Sequence, residues 1–162
     1  MNNTTRVLRC GGWCGEIRSP DMARAKVDLG PFCRKGKHRY AIGEPFVQGG
    51  YLYATDGVMA VRMPTRRKRD TRGALPQIGL VFRYRGGRRK QWPWSGEEQE
   101  PILVDEDERG GLYLARWRAR LIAALPEVEW LVLRVDRPPH SVRFVFRGGE
   151  GVVMLTRGAA NA

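Results

Sequence analysis

An Asp-Gly pair, Asp56-Gly57, lies between two short apolar runs and constrains the fold more than any other feature of this sequence. The runs are YLYA at 51–54 and VMAVRM at 58–63. A tight turn between paired strands needs positive φ, which glycine adopts without strain and aspartate tolerates. The sequence therefore predicts a β-hairpin with its strands at these two positions.

The same order of elements is predicted on both sides of a charged middle segment. The first half contains a weak strand region at 1–18, a helix that begins at Ser19-Pro20-Asp21 and ends near Gly30-Pro31, and strands at 39–47, 51–54 and 58–63. The second half contains a strand at 111–114, a helix ended by Pro126, and strands at 130–135, 141–146 and 151–156. We therefore expect a single α+β domain over residues 1–162, with two β-α-β-β-β units and both helices on one face of antiparallel sheets.

Apolar residues at helical spacing identify the second helix. Its predicted apolar face consists of Leu114, Trp117, Leu121, Leu125 and Val128. Arg116 and Arg120, one turn apart, then point away from that face. Ala119 and Ala123 share the outward side and are expected to allow the close approach of a partner.

Residues at about 65–110 differ in character from the two halves. The stretch 66–90 holds ten cations and one acid, whereas 97–108 holds seven acids. A second hairpin is predicted inside the basic part, with its turn at Gly86-Gly87. We interpret the segment as an insertion or long loop that is partly mobile.

Two interpretations of this charged segment remain open. Its arginines are interleaved with the aromatic residues Phe82, Tyr84, Trp92 and Trp94. Such a mixture suits single-stranded nucleic acid, because arginines contact the backbone while rings stack on bases. Alternatively, the acidic run folds back and neutralises the basic run.

The charge of the chain favours a polyanionic partner. Lys and Arg number 29 against 17 Asp and Glu, which gives a net charge of +12 and points most simply to nucleic acid. Every apolar run is shorter than the roughly 20 residues that span a bilayer. The first residues lack the apolar stretch of a signal peptide. We expect no membrane partner and a cytoplasmic, nucleoid-associated location.

The residues that carry chemistry predict neither an enzyme nor a cofactor. The sequence has no Ser-His-Asp order, HExxH motif or P-loop. Four residues offer zinc-ligating atoms, namely Cys10, Cys14, Cys33 and His38. The C-x3-C spacing and the distance to the other two argue against a zinc site. The odd number of cysteines argues against a disulfide framework.

Three short motifs resemble those of the bacterial DNA polymerase III β sliding clamp family. They are an Arg39-Tyr40 strand, the string Ala54-Thr55-Asp56-Gly57 and a final strand with Val152-Val153-Met154. The similarity covers roughly residues 13–64 and 111–157. Val58-Met59-Ala60 stands where the family has His-Arg-Leu, and Leu155 stands where it has proline. A β clamp also carries three such domains in one chain, whereas one is expected here.

The resemblance implies a surface for DNA and a pocket for peptides. In such clamps the helices line the central hole and contact the duplex backbone without reading its sequence. The candidate DNA contacts here are Arg24, Lys26, Arg116, Arg118 and Arg120 on the helices, with Arg83, Arg85, Arg88 and Arg89 from the charged segment. The candidate pocket residues are Thr55, Gly57, Val58, Met59, Val153, Met154 and Arg157.

Three functions are consistent with these features. The first is a processivity or scaffold factor of DNA replication, which encircles or contacts duplex DNA as a homo-oligomeric ring of six copies. The second is a clamp-fold module without a ring, such as a phage-encoded protein, that binds DNA polymerase, other replication proteins or the host clamp. The third is a small nucleic-acid-binding protein that uses the arginine-rich segment.

Overall fold

The computed structural model describes residues 27–68, 70, 73–83, 87–91, 94, 97, 101–128, 130–134 and 139–158. The predicted strand region at 1–18 and most of the first predicted helix lie outside these residues. Four residues singled out above also lie outside them, namely Arg24, Lys26, Cys10 and Cys14. Arg85 and the Gly86 half of the second predicted hairpin turn lie outside as well.

The described residues form an α+β structure, which confirms the predicted fold class. In chain order the elements are β1 (Phe46–Gln48), β2 (Tyr51–Thr55), β3 (Met59–Pro64), β4 (Arg88–Gln91), β5 (Ile102–Asp107), β6 (Gly110–Leu114), α1 (Arg116–Ala123), β7 (Trp130–Arg134), β8 (Ser141–Phe146), β9 (Gly149–Met154) and β10 (Thr156–Arg157). Two 3₁₀ helices, Gly30–Phe32 and Ile78–Phe82, complete them. The helices in this part of the chain are too short and too polar to span a lipid bilayer.

The predicted hairpin at Asp56-Gly57 is confirmed. β2 and β3 pair antiparallel, with Ala54 opposite Val61, and Gly57 has a φ of 92°. Oδ1 of Asp56 accepts hydrogen bonds from the backbone amides of Val58 at 2.8 Å and Met59 at 2.6 Å. The aspartate side chain therefore satisfies the amides that the turn leaves unpaired.

The larger sheet combines both halves of the chain. Its spatial order is β1-β2-β3-β9-β8-β7-β4, and every neighbouring pair is antiparallel. The two triplets of consecutive strands meet through their third members, β3 and β9. The second predicted β-α-β-β-β unit is present as β6, α1 and β7–β9. Its first strand, however, belongs to a separate three-stranded sheet with the order β10-β6-β5.

The first face of the seven-stranded sheet packs against α1. Ala119 and Ile122 of the helix are fully buried. They belong to one core with Phe144 and Val153 of the sheet. The helix is therefore bound by its small and apolar side, as predicted for a layered α+β domain.

On the second face of the sheet, described residues of the charged segment pack against the strands. The interpretation of the segment as an insertion stays a prediction. Phe82, at the end of the 3₁₀ helix Ile78–Phe82, is fully buried against Phe46 and Tyr53. The predicted hairpin at Gly86-Gly87 is wrong, because the residues before it are 3₁₀-helical and β4 pairs with β7 instead. The packing of Phe82 against the distant residues Phe46 and Tyr53 therefore outweighed the strand pattern of the local sequence.

The predicted strand at 39–47 is reduced to β1. The backbone before Phe46 bonds to loops rather than to a neighbouring strand. The amide of Ala41 donates to the carbonyl of Ala74 at 2.9 Å, and that of Arg34 donates to Ile42 at 3.2 Å. Hydrogen bonds to loops therefore replace the strand pairing that was expected for residues 39–45.

The second helix is shorter than the apolar spacing predicts, because α1 begins at Arg116 and Leu114 belongs to β6. Most of its predicted apolar face is confirmed: Leu114 and Leu125 are buried in the core, and Leu121 and Val128 pack against it. Trp117 was predicted in the core but is 47% exposed. Ala119 was predicted at the surface but is fully buried.

Truncation of Phe82 tests whether the charged segment is part of the core. We expect Phe82→Ala to lower the free energy of unfolding by about 3–5 kcal/mol, because it leaves a cavity against the sheet. Leu80→Ala is the matched control in the same 3₁₀ helix, since Leu80 is 58% exposed, and it should cost within about 0.5 kcal/mol. Urea unfolding measures both, and equal small losses would contradict the assignment.

Candidate nucleic-acid interface

Asp56 links the hairpin turn to α1. Its Oδ1 serves the turn, while its Oδ2 accepts a hydrogen bond from Nη2 of Arg118 at 2.9 Å. The guanidinium carbon of Arg118 also lies 4.2 Å from the centre of the Trp117 ring. Arg118, a predicted DNA contact, is thus held by a carboxylate and a ring of the protein itself. It fixes the position of α1 relative to the turn.

The outward side of α1 carries the remaining predicted helix contacts. Arg120 is exposed, and Arg116 is half-buried one turn before it. Both also take part in interactions within the protein. Trp117 lies between them in sequence and is exposed on the same helix. The structure therefore brings two arginines and a tryptophan to a helix whose opposite side is in the core.

The arginines of the charged segment that were predicted to contact DNA do not all lie on the same surface. Nη2 of Arg88 pairs with Oδ1 of Asp105 on β5 at 2.8 Å. This ion pair agrees with the interpretation that the acidic run folds back on the basic run. Arg83 and Arg89 are exposed. Successive strand residues point to opposite faces, so Arg88 and Arg89 leave β4 on different sides.

The two described aromatic residues of that segment, Phe82 and Trp94, pack in the cores of the protein. Phe82 is fully buried, and Trp94 packs against the core beneath α1. Tyr84 and Trp92 lie outside the described residues. A buried ring cannot receive a base, so the stacking interpretation fails for Phe82.

The candidate pocket residues divide between the core and the surface. Met59 and Val153 are fully buried in the core beneath α1. The buried hydroxyl of Thr55 donates to the carbonyl of Met59 at 2.7 Å and accepts from the amide of Gly57 at 3.0 Å. These side chains therefore build the turn and the core.

The other candidate pocket residues lie closer to the surface. Gly57 is exposed and Val58 is 39% exposed. The amide of Met154, which is half-buried, donates to the carbonyl of Val58 at 2.9 Å. Arg157 donates to the carbonyl of Gly110 at 3.2 Å. Val58 and Met154 are therefore neighbours, whereas the Arg157 guanidinium is bound to the β5–β6 hairpin.

A buried charge network, which the sequence did not predict, lies on the second face of the sheet. Oε1 of Glu150 accepts from Nε of Arg62 at 2.8 Å and also from its Nη2. Oε2 accepts from Nε of Arg143 at 3.0 Å and also from its Nη2. One carboxylate thus receives a bidentate contact from each of two arginines. Glu150 lies in β9, which begins at Gly149, two residues before the start of the predicted strand at 151–156.

Aromatic rings complete the environment of Arg62. Its guanidinium carbon lies 4.2 Å from the centre of the Tyr51 ring and 4.3 Å from that of Phe82. A planar guanidinium can stack between two rings and still bind a carboxylate at its edge, which an ammonium cannot. Burial alone would raise the pKa of Glu150, but Arg143 and Arg62 outweigh it and hold that pKa below its ordinary value.

The described part of the chain offers no metal site. No group of three His, Cys, Asp or Glu side chains is arranged there to bind an ion. Cys33 is buried, which raises the pKa of its thiol to about 11, and His38 is exposed. No protein-family model, curated protein or solved structure matches this chain.

The Glu150 network predicts a pH dependence of stability. The lowered pKa means that the charged carboxylate stabilises the fold. This contribution is complete above the ordinary value of 4.5 and is lost as the pH falls through the lower folded-state pKa. We expect Glu150→Gln to cost about 3 kcal/mol at neutral pH, because two buried arginines keep their charge.

Urea unfolding at neutral and acid pH measures this dependence. The stability gap between the native protein and Glu150→Gln should narrow as the native carboxylate becomes protonated. Glu127→Gln is the control, because the Glu127–Arg147 pair is exposed and should contribute within about 1 kcal/mol. A gap that stays constant into acid would contradict the assignment.

Proposed function

We propose that this protein is a clamp-like, non-enzymatic DNA-binding factor that contacts the duplex backbone without sequence specificity through the outward side of α1. The observation that carries the proposal is the orientation of that helix. Ala119 and Ile122 hold it on the sheet, while Arg120 is exposed and Arg116 lies one turn away. The net charge of +12 provides long-range attraction to a polyanion.

Phosphate contact gives this pair of arginines a physical role. Like charges one turn apart on a helix repel by about 0.2–0.5 kcal/mol. A phosphate close to both Arg116 and Arg120 would attract both guanidinium groups, in addition to the interactions that each makes within the protein. Phosphate contacts carry no sequence information, which suits a factor that must act at any position on DNA.

The strand order supports the clamp resemblance. Two triplets of strands meet at β3 and β9, and α1 packs on one face of the resulting sheet. The Ala54–Gly57 string of the family occupies the turn that Arg118 binds. A helix in the first half, on the same face as α1, would complete the family's arrangement. Replication processivity and scaffolding are the roles that this arrangement implies.

Charge removal on α1 tests the proposal. We expect the double variant Arg116→Gln with Arg120→Gln to weaken binding to every duplex sequence. The slope of log affinity against log salt should become shallower by about 1.8, since each lost phosphate contact removes about 0.9. Fluorescence anisotropy with a labelled hairpin duplex at several salt concentrations measures both quantities.

Two matched double variants make this test specific. Lys35→Gln with Lys37→Gln removes the same charge from an exposed loop and should have a smaller effect. Arg88→Gln with Arg89→Gln tests binding through the charged segment. A larger loss for the Arg88 and Arg89 variant would overturn the α1 proposal in favour of that segment.

A non-ring module is the second candidate, and the edges of the sheet favour it. A ring of copies requires strands to pair across β1 and β4. Three consecutive cations occupy β4, from Arg88 to Lys90, and charged edge strands generally oppose such pairing. At β1, the carbonyl of Val47 already accepts the amide of Asp70 at 3.1 Å. Such a module would bind a polymerase, another replication protein or a host clamp.

The mass of the particle in solution separates the ring from the module. The ring predicts a particle of six chains, each of 18.4 kDa, at low salt. The module predicts the mass of one chain or a dimer at low and high salt alike. Light scattering at two salt concentrations, with and without a duplex, decides between them.

A further inference from the structure

The exposed position of Trp117 on α1 has no role in a contact that involves only the phosphate backbone of DNA. At about 100° per residue, its side chain lies opposite Ala119 and Ile122, at the centre of the outward side. Arg120 lies about 60° to one side of it. Nearly half of a large indole is therefore exposed to solvent, next to an arginine that the proposed function assigns to phosphate.

We propose that Trp117 stacks on an unpaired base, so that α1 binds DNA with single-stranded regions more tightly than fully paired duplex. This inference rests on the proposed contact between α1 and DNA, and it adds the form of DNA that the site prefers. In a duplex the bases are stacked on one another and cannot reach the ring. In a single strand every base has a free π face, so stacking does not depend on sequence.

The surroundings of the ring suit this role. The guanidinium of Arg118 lies 4.2 Å from the ring centre, and Asp56 holds that guanidinium in place. The ring is thus restrained before binding, which reduces the entropy lost when a base stacks on it. Arg116 and Arg120 are positioned to contact the phosphates that flank a stacked base.

The charge of the surface favours nucleic acid over a protein partner for this ring. An exposed tryptophan also suits a protein interface. The neighbours of Trp117 on the outward side include Arg120 and Arg116, however, and the whole chain carries +12. Such a basic surface attracts phosphates over a long range, whereas it does not attract an apolar protein surface.

The experiment compares two probes with equal numbers of phosphates, a labelled oligo(dT) and a labelled blunt-ended duplex of two fully paired strands. We expect the native protein to bind oligo(dT) more tightly at the same salt concentration. Trp117→Leu keeps an apolar side chain but loses the aromatic face, and it should weaken oligo(dT) binding by at least about five-fold. Its binding to the blunt-ended duplex should be unchanged, and Trp117→Phe should retain most of the oligo(dT) affinity.

The controls separate the two proposals. Leu80→Ala removes an exposed apolar side chain from the opposite face of the sheet and should leave both affinities unchanged. If the Arg116 and Arg120 double variant binds both probes with the native affinity, the proposed function fails. If that double variant binds both probes more weakly while Trp117→Leu binds oligo(dT) with the native affinity, only the stacking inference fails. Equal loss in the Phe and Leu variants would also overturn stacking.

Thermal unfolding of each variant checks that the fold is intact. Should Trp117→Leu fail to fold, the comparison of the two probes on the native protein decides the matter. Tighter binding of the blunt-ended duplex than of oligo(dT) would overturn the inference without any variant.

Discussion

The antiparallel pairing of β3 with β9 holds the two halves of the chain in one sheet, and the rest of the structure depends on it. On the second face, its register places Arg62 directly opposite Glu150. On the first face, Gly151 lies beneath the Phe144 ring, where a Cβ atom would collide with that ring. The Arg62–Glu150 pair on one face and Gly151 on the other thus both require this register. A slip by one residue would move every side chain of a strand to the opposite face of the sheet.

This junction determines where α1 lies. Met59 of β3 and Val153 of β9 are opposite each other in the register, and both belong to the core that receives Ile122. The hairpin turn that begins β3 also carries Asp56, whose carboxylate binds Arg118. The helix is therefore fixed by apolar packing beneath it and by an ion pair beside it. An arginine on its outward side is consequently held at a defined distance from the sheet.

Local features of the sequence were predictable, and contacts between distant residues were not. The Asp56-Gly57 hairpin and the three strands after α1 follow from turn chemistry and apolar runs of a few residues. Arg118 and Asp56 are 62 residues apart, and Arg62 and Glu150 are 88 apart. No short pattern carries such pairings. Spacing alone did not predict the exposure of Trp117, since Leu121 and Leu125 on the same predicted face do pack in the core.

The internal ion pairs also change what the net charge means. Arg118 and the two arginines bound to Glu150 face carboxylates of the protein, so composition overstates the charge available to a partner. Strong attraction to a polyanion then depends less on the number of cations than on how many are held outward by a rigid element. α1 exposes Arg120 in this way and places the half-buried Arg116 one turn before it, although both also interact within the protein. A fixed cationic helix with an exposed indole is suited to binding a flexible polyanion with aromatic bases. Because the helix is already ordered, the protein loses little conformational entropy on binding.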